Sequence, residues 1–175
     1  MNRWGVLVLA ATCVVGAAAC DDDSSPAAPS NAPLVFTANM TAAQEVPPVS
    51  NTESAATGSA TITITPTRDA SNAITSGTAS FQFTVTNLTS TSNIILAHIH
   101  TGAAGVPGGV LVNTGLSAAT AIPTPAGSAG FASPSPVSVD AATLNSIVAN
   151  PAGFYFNVHT SLNPGGVVRG QLRAQ

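Results

Sequence analysis

Two stretches of strict alternation constrain this chain more than anything else in it. From Gly58 to Thr65, Ala60, Ile62 and Ile64 share one face while Thr61, Thr63 and Thr65 share the other. Thr78 to Leu88 repeats the pattern, with Phe81, Phe83 and Val85 set against Gln82, Thr84 and Thr86. Successive strand side chains point to opposite faces, so a period of two predicts strands with one buried and one polar face. The polar face is built from Thr and Gln rather than from charge. Charged residues make up only 6% of the chain and Lys is absent, against a usual ~25%. Thr supplies surface polarity and, being β-branched, also suits a strand.

The same reading extends over the rest of the domain. Leu34 to Met40, Ile94 to His100, Val110 to Asn113, Phe154 to Thr160 and Val167 to Ala174 read as strands, with a weaker one near Ala129 to Ser133. Thr41 to Ser54 is irregular, because its Pro47-Pro48 pair has no place inside a sheet. Leu144, Ile147 and Val148 fall at helical intervals, and Ser138 or Asp140 is positioned to cap that helix before Asn150-Pro151 ends it. Asp69 reads as a turn residue. Seven or eight short strands with one short helix predict an all-β fold, an antiparallel sandwich or Greek-key barrel.

The first 33 residues have a different character. Met1 to Arg3 is a short positive start, Trp4 to Val15 is almost wholly apolar, and small residues follow up to Ala19. That order predicts a secretory signal peptide over 1–19. The apolar run is shorter than the ~20 residues that span a bilayer. Cys20 follows the small residues as in a bacterial lipobox, although Ala17 stands where a larger aliphatic residue is usual. The expectation is an exported protein tethered to a bacterial membrane by a lipid on Cys20. Cleavage by ordinary signal peptidase after Ala17-Ala18-Ala19 is the competing reading. Residues 20–33, with Asp21 to Asp23 and three prolines among Ala and Ser, predict a solvated spacer. Inner and outer membrane destinations stay open. The folded domain is expected over 34–175.

Charge excludes one class of partner. Seven acids against the three arginines that remain without Arg3 leave about −4. No basic patch is available for phosphates, so nucleic acid is not expected as a partner.

Three stretches together resemble a known module. They are Ala43-Gln44-Glu45-Val46-Pro47-Pro48-Val49, then Ala97-His98-Ile99-His100, then Asn157-Val158-His159-Thr160 through Gly165-Gly166 to Arg169-Gly170-Gln171-Leu172. Their order and spacing resemble the CHRD domain, named for chordin and found in many bacterial secreted proteins. The resemblance covers essentially 34–175 and implies an extracytoplasmic β-domain. It implies little about activity, because growth-factor binding in chordin is credited chiefly to other, cysteine-rich modules. Val167 stands where the family usually has an acidic residue.

All three histidines fall where chemistry can be built. His98 and His100 are two apart on a predicted strand, so their imidazoles leave the same face about 7 Å apart at Cα. Alternation in Phe154 to Thr160 sends Phe154, Phe156 and Val158 inward and puts Tyr155, Asn157 and His159 on the opposite face. Convergence of His98, His100 and His159 would give a three-imidazole site suited to Zn²⁺ or Cu²⁺. The pattern resembles carbonic anhydrases and part of the copper-zinc superoxide dismutase set, as analogy only. The plainer reading is that these histidines hydrogen-bond loop carbonyls and hold the Gly-rich turns.

Glu45 and Arg169 form a second candidate pair, expected as a structural ion pair between the Pro-containing loop and the last strand. A lone Glu without a second acid is a poor catalytic group, and no Ser lies in a nucleophile motif. The leading expectation is therefore a non-enzymatic binding or structural module of the cell envelope, with a protein ligand or a metal as its partner. The alternative is an extracytoplasmic Zn- or Cu-binding protein.

Overall fold

A computed structural model describes Met1 and residues 30–175. The proposed signal peptide, Cys20 and most of the spacer lie outside the described residues. No described helix is long and apolar enough to cross a membrane.

Among the described residues ten strands form a single antiparallel sheet. In chain order they are β1 (Leu34–Thr41), β2 (Thr57–Arg68), β3 (Ile74–Thr86), β4 (Ile94–Thr101), β5 (Val110–Asn113), β6 (Ala129–Ala132), β7 (Val137–Asp140), β8 (Phe154–Thr160), β9 (Val168–Gln171) and β10 (Arg173–Ala174). Among the described residues, one α-helix, α1 (Ala141–Ala149), and three single 3₁₀ turns accompany the sheet. The strand path runs β5-β4-β8-β9-β1-β2-β3-β6, with β10 paired to β1 and β7 to β3. The two ends of this path face each other across a pocket between Leu116, Ile122, Phe131 and Val137, so the sheet is a nearly closed barrel.

The alternation read from the sequence sets which side of each strand is inside. Ala60, Ile62 and Ile64 are at most 3% exposed, and Phe81, Phe83 and Val85 at most 2%. Phe156 of β8 crosses the interior to reach Phe83 and Phe81, with ring centroids 5.6 and 5.9 Å apart. Leu144 and Ile147 of α1 are fully buried, whereas Val148 is 39% exposed, so the helical stripe is narrower than the spacing implied.

Asp140 is the helix cap: its carboxylate accepts from the Thr143 backbone N–H at 2.9 Å. Asp69 closes its turn by accepting from Ser71 and Ala73 backbone N–H groups. β7 was not expected, and the last predicted strand is divided in two at Leu172.

One feature departs from simple pleating. Every residue of β8 is buried, on both faces. The polar face carrying His98, His100 and His159 does not meet solvent, because the Ala42–Ser54, Gly102–Gly109 and Asn163–Gly166 segments fold over it. The barrel thus has an apolar interior and, outside one wall, a second polar one.

Candidate metal centre

Strand register lays out the polar interior in rows. His98 of β4 stands across from Asn157 of β8, and Asn157 across from Arg169 of β9. One row along, His100 stands across from Tyr155, and Tyr155 from Gln171. His159 continues the same face of β8. Alternation therefore brings the three imidazoles together from two hydrogen-bonded strands, which is the most rigid support a sheet offers.

The three histidines offer one ligand nitrogen each, all within 4.8 Å of one another. His98 Nδ1 and His159 Nε2 are 3.3 Å apart. Two nitrogens bound tetrahedrally to one Zn²⁺ at ~2.0–2.1 Å would stand ~3.3 Å apart, so that side of the triangle already has the right length. The longest side would have to shorten.

Tautomers follow from the acceptors. His100 Nδ1 faces the Gly108 carbonyl at 3.0 Å, and His159 Nδ1 faces the Pro164 carbonyl at 2.9 Å. A carbonyl only accepts, so both Nδ1 atoms carry the proton and both Nε2 atoms present lone pairs. Such carbonyl contacts also orient metal-bound histidines. His100 Nε2 is buried and has no hydrogen-bond partner among the described residues. The loop-holding role expected of these histidines is therefore present for two of them, and it leaves both Nε2 lone pairs facing the cluster, that of His100 without a partner and that of His159 accepting from His98 Nδ1.

Electrostatics keep the set neutral. Burial lowers the His98 pKa to about 4, helped by its two histidine neighbours. Burial likewise lowers His100 and His159, although their carbonyl bonds pull the other way. Neutral imidazole is the form that binds metal, so no net proton is released at neutral pH, although His98, whose Nδ1 donates to His159 Nε2 here, has to shift its proton to Nε2 to ligate.

Glu45 and Arg169 do not make the expected direct contact. Glu45 Oε1 accepts from Asn157 Nδ2 at 2.6 Å, while Arg169 donates Nε–H to the Gln44 carbonyl and lays its guanidinium 4.6 Å from the centre of the Tyr155 ring. Tyr155 in turn stacks on His100, centroids 4.9 Å apart. Arg169 acts on Glu45 through charge alone: burial raises the Glu45 carboxyl to about 7, with Arg169 and Asn157 offsetting part of the rise. The loop is pinned to the last strands, as expected, but by Asn157 and a backbone carbonyl. A Cβ at Gly166, whose φ is +134°, would sit 2.6 Å from both Glu45 Oε1 and Asn157 Nδ2, so glycine is what admits this contact.

The family described as CHRD domain matches residues 36–172. This chain belongs to the CHRD-domain family. No curated protein and no solved structure matches it. CHRD domains are extracellular domains. The three motifs that carried the resemblance are also the three segments that meet here. The Ala43–Val49 loop brings Glu45, the β4 motif brings His98 and His100, and the last motif brings Asn157, His159 and Arg169.

Alternation puts Asn157 and Tyr155 on the histidine face without assigning them roles, and no local pattern marks Glu53. That residue is fully buried and accepts from the Thr89 backbone N–H and hydroxyl, from Thr160 Oγ1 and from Asn163 Nδ2. Only the scarcity of charge in this CHRD domain could have singled it out.

Proposed function

We propose that this CHRD-domain protein is an exported, lipid-tethered, non-enzymatic module of the cell envelope that holds Zn²⁺ or Cu²⁺ on His98, His100 and His159. The observation that carries the metal reading is a set of three neutral imidazoles whose ligand nitrogens lie within 4.8 Å, two of them fixed by carbonyls in the metal-ready tautomer. The unpartnered buried His100 Nε2 fits the same reading, since a buried polar nitrogen with no partner is unusual without a ligand. His98 has to carry its proton on Nε2 for its Nδ1 to join the set. Three nitrogen ligands leave one position of a tetrahedral ion to water or a further ligand.

The test is metal content. Protein purified from cells expressing the full chain, dialysed against Zn²⁺ or Cu²⁺ and then washed, should retain one ion per chain, and His100→Ala should lose it. No retained metal, or equal metal in His100→Ala, would end the metal reading. Tethering is read separately, from Cys20 after the apolar leader. Cys20→Ser should move the protein from the membrane fraction to the soluble one, and unchanged fractionation would refute a lipid on that residue.

A further inference from the structure

Cationic side chains are scarce in this chain: Lys and Arg together number 4. Two of them, Arg169 and Arg173, line the same pocket. It has a volume of about 510 Å³ and lies between the Ala43–Pro48 loop and the last strands, apart from the three histidines. That volume is within the range of small-molecule sites.

Arg169 is the residue that needs explaining. It is 3% exposed, and among the described residues no carboxylate contacts it directly. Its Nε–H goes to the Gln44 carbonyl, its plane lies over Tyr155, and its Nη2 is buried without a partner. A buried guanidinium without a paired anion loses hydration that a carbonyl and an aromatic face restore only in part. Glu45, whose hydrogen bond goes to Asn157, supplies at most one negative charge against the two arginines of the pocket. The pocket is therefore net positive inside a protein that is net negative. Its wall is mixed, with Asn39 and Gln171 beside Val46 and Pro48.

We infer that this pocket binds a small organic acid, its carboxylate drawn to Arg169 and Arg173 and its body against Val46 and Pro48. Arg173, which is exposed, can offer its guanidinium fork to a planar carboxylate in two parallel hydrogen bonds, while Arg169, with Nε committed to Gln44 and Nη2 buried, adds fixed positive charge to the wall. The apolar part of the wall favours a ligand with a hydrocarbon body over a bare inorganic ion. The inference does not depend on a metal at the histidines.

Calorimetric titration of the full-chain protein with benzoate, benzamide and sulfate tests it. Benzoate should saturate one site, and benzamide, the same shape without charge, should bind at least tenfold more weakly. Two rim variants outside the barrel core, Arg173→Gln and Val46→Asp, should each weaken benzoate about tenfold or more. Their melting temperatures should match the parent's, because Arg173 and Val46 are both exposed. Absent benzoate binding, equal binding of benzamide, or indifference to both substitutions would overturn the inference. Sulfate that displaces benzoate at equal concentration would also overturn it, leaving only a nonspecific anion site.

Discussion

Glu53 and Glu45 sit in the same loop, both buried, and their surroundings drive them in opposite directions. Desolvation pushes Glu53 up, but hydrogen bonds from Thr160, Thr89, Ser92 and Asn163 outweigh it and its pKa is lowered. Glu53 therefore stabilises the fold above the unfolded-state value of 4.5, and this is lost as pH falls through its lower folded value. Glu45 has only Asn157 to accept from and is raised to about 7. The folded form then holds the proton more tightly than the unfolded form, so stability falls as pH rises from 4.5 to about 7 and stays low beyond. Glu45→Gln, which keeps an acceptor for Asn157, should match the parent near pH 4.5 and exceed it by ~1–3 kcal/mol at pH 8. Chemical denaturation at the two pH values measures this, and an equal difference at both would refute it. The histidines work in the other sense. Their folded pKa values are lowered, so stability is lost as pH drops below 6.5, and any bound metal would be lost over the same acid range.

At the level of elements, α1 depends on the residue that caps it. Asp140 accepts from the Thr143 backbone N–H at 2.9 Å and from its hydroxyl at 2.8 Å, and it is also the last residue of β7. Asp140→Ala should cost ~1 kcal/mol, read as a lower denaturant midpoint with an unchanged slope. An unchanged midpoint would mean that packing of Leu144 and Ile147 alone holds the helix. The cap and the long strands were legible because each is a local pattern: period two in Gly58–Thr65 and Thr78–Leu88, an Asp before an apolar helical spacing. β7 was not legible, since its four residues follow Ser133-Pro134-Ser135-Pro136 and make sense only against Ser76 to Ala79 of β3. The split of the last strand is also nonlocal, because Leu172 is buried and its N–H turns to the Phe154 carbonyl. In the site, alternation gave the common face of His98, His100 and His159. It gave no sign that loops would roof that face, because Glu45–Asn157 and Glu53–Thr160 join residues far apart in the chain.

Across the whole molecule, the described barrel is held without covalent staples. Both cysteines, Cys13 and Cys20, precede residue 30, so none lies among the strands. Closure then rests on apolar contacts that cross the interior, and Phe156 is central to them. It is fully buried, stands on β8 beside the histidine face, and meets Phe81 and Phe83 of β3 on the opposite wall. Phe156→Ala removes both contacts at once and leaves a cavity that β8, hydrogen-bonded to β4 and β9, cannot collapse to fill. The loss should be roughly 3–5 kcal/mol, a large part of the stability of a domain this size. A reductant, by contrast, should leave the melting temperature unchanged. Because the apolar and polar interiors share β8, the core substitution should also weaken whatever the three histidines bind, even though it touches none of them. If Phe156→Ala melted early yet kept parental metal content below its melting point, the two interiors would be independent. The barrel wall would then serve the site as a frame without transmitting core packing to it.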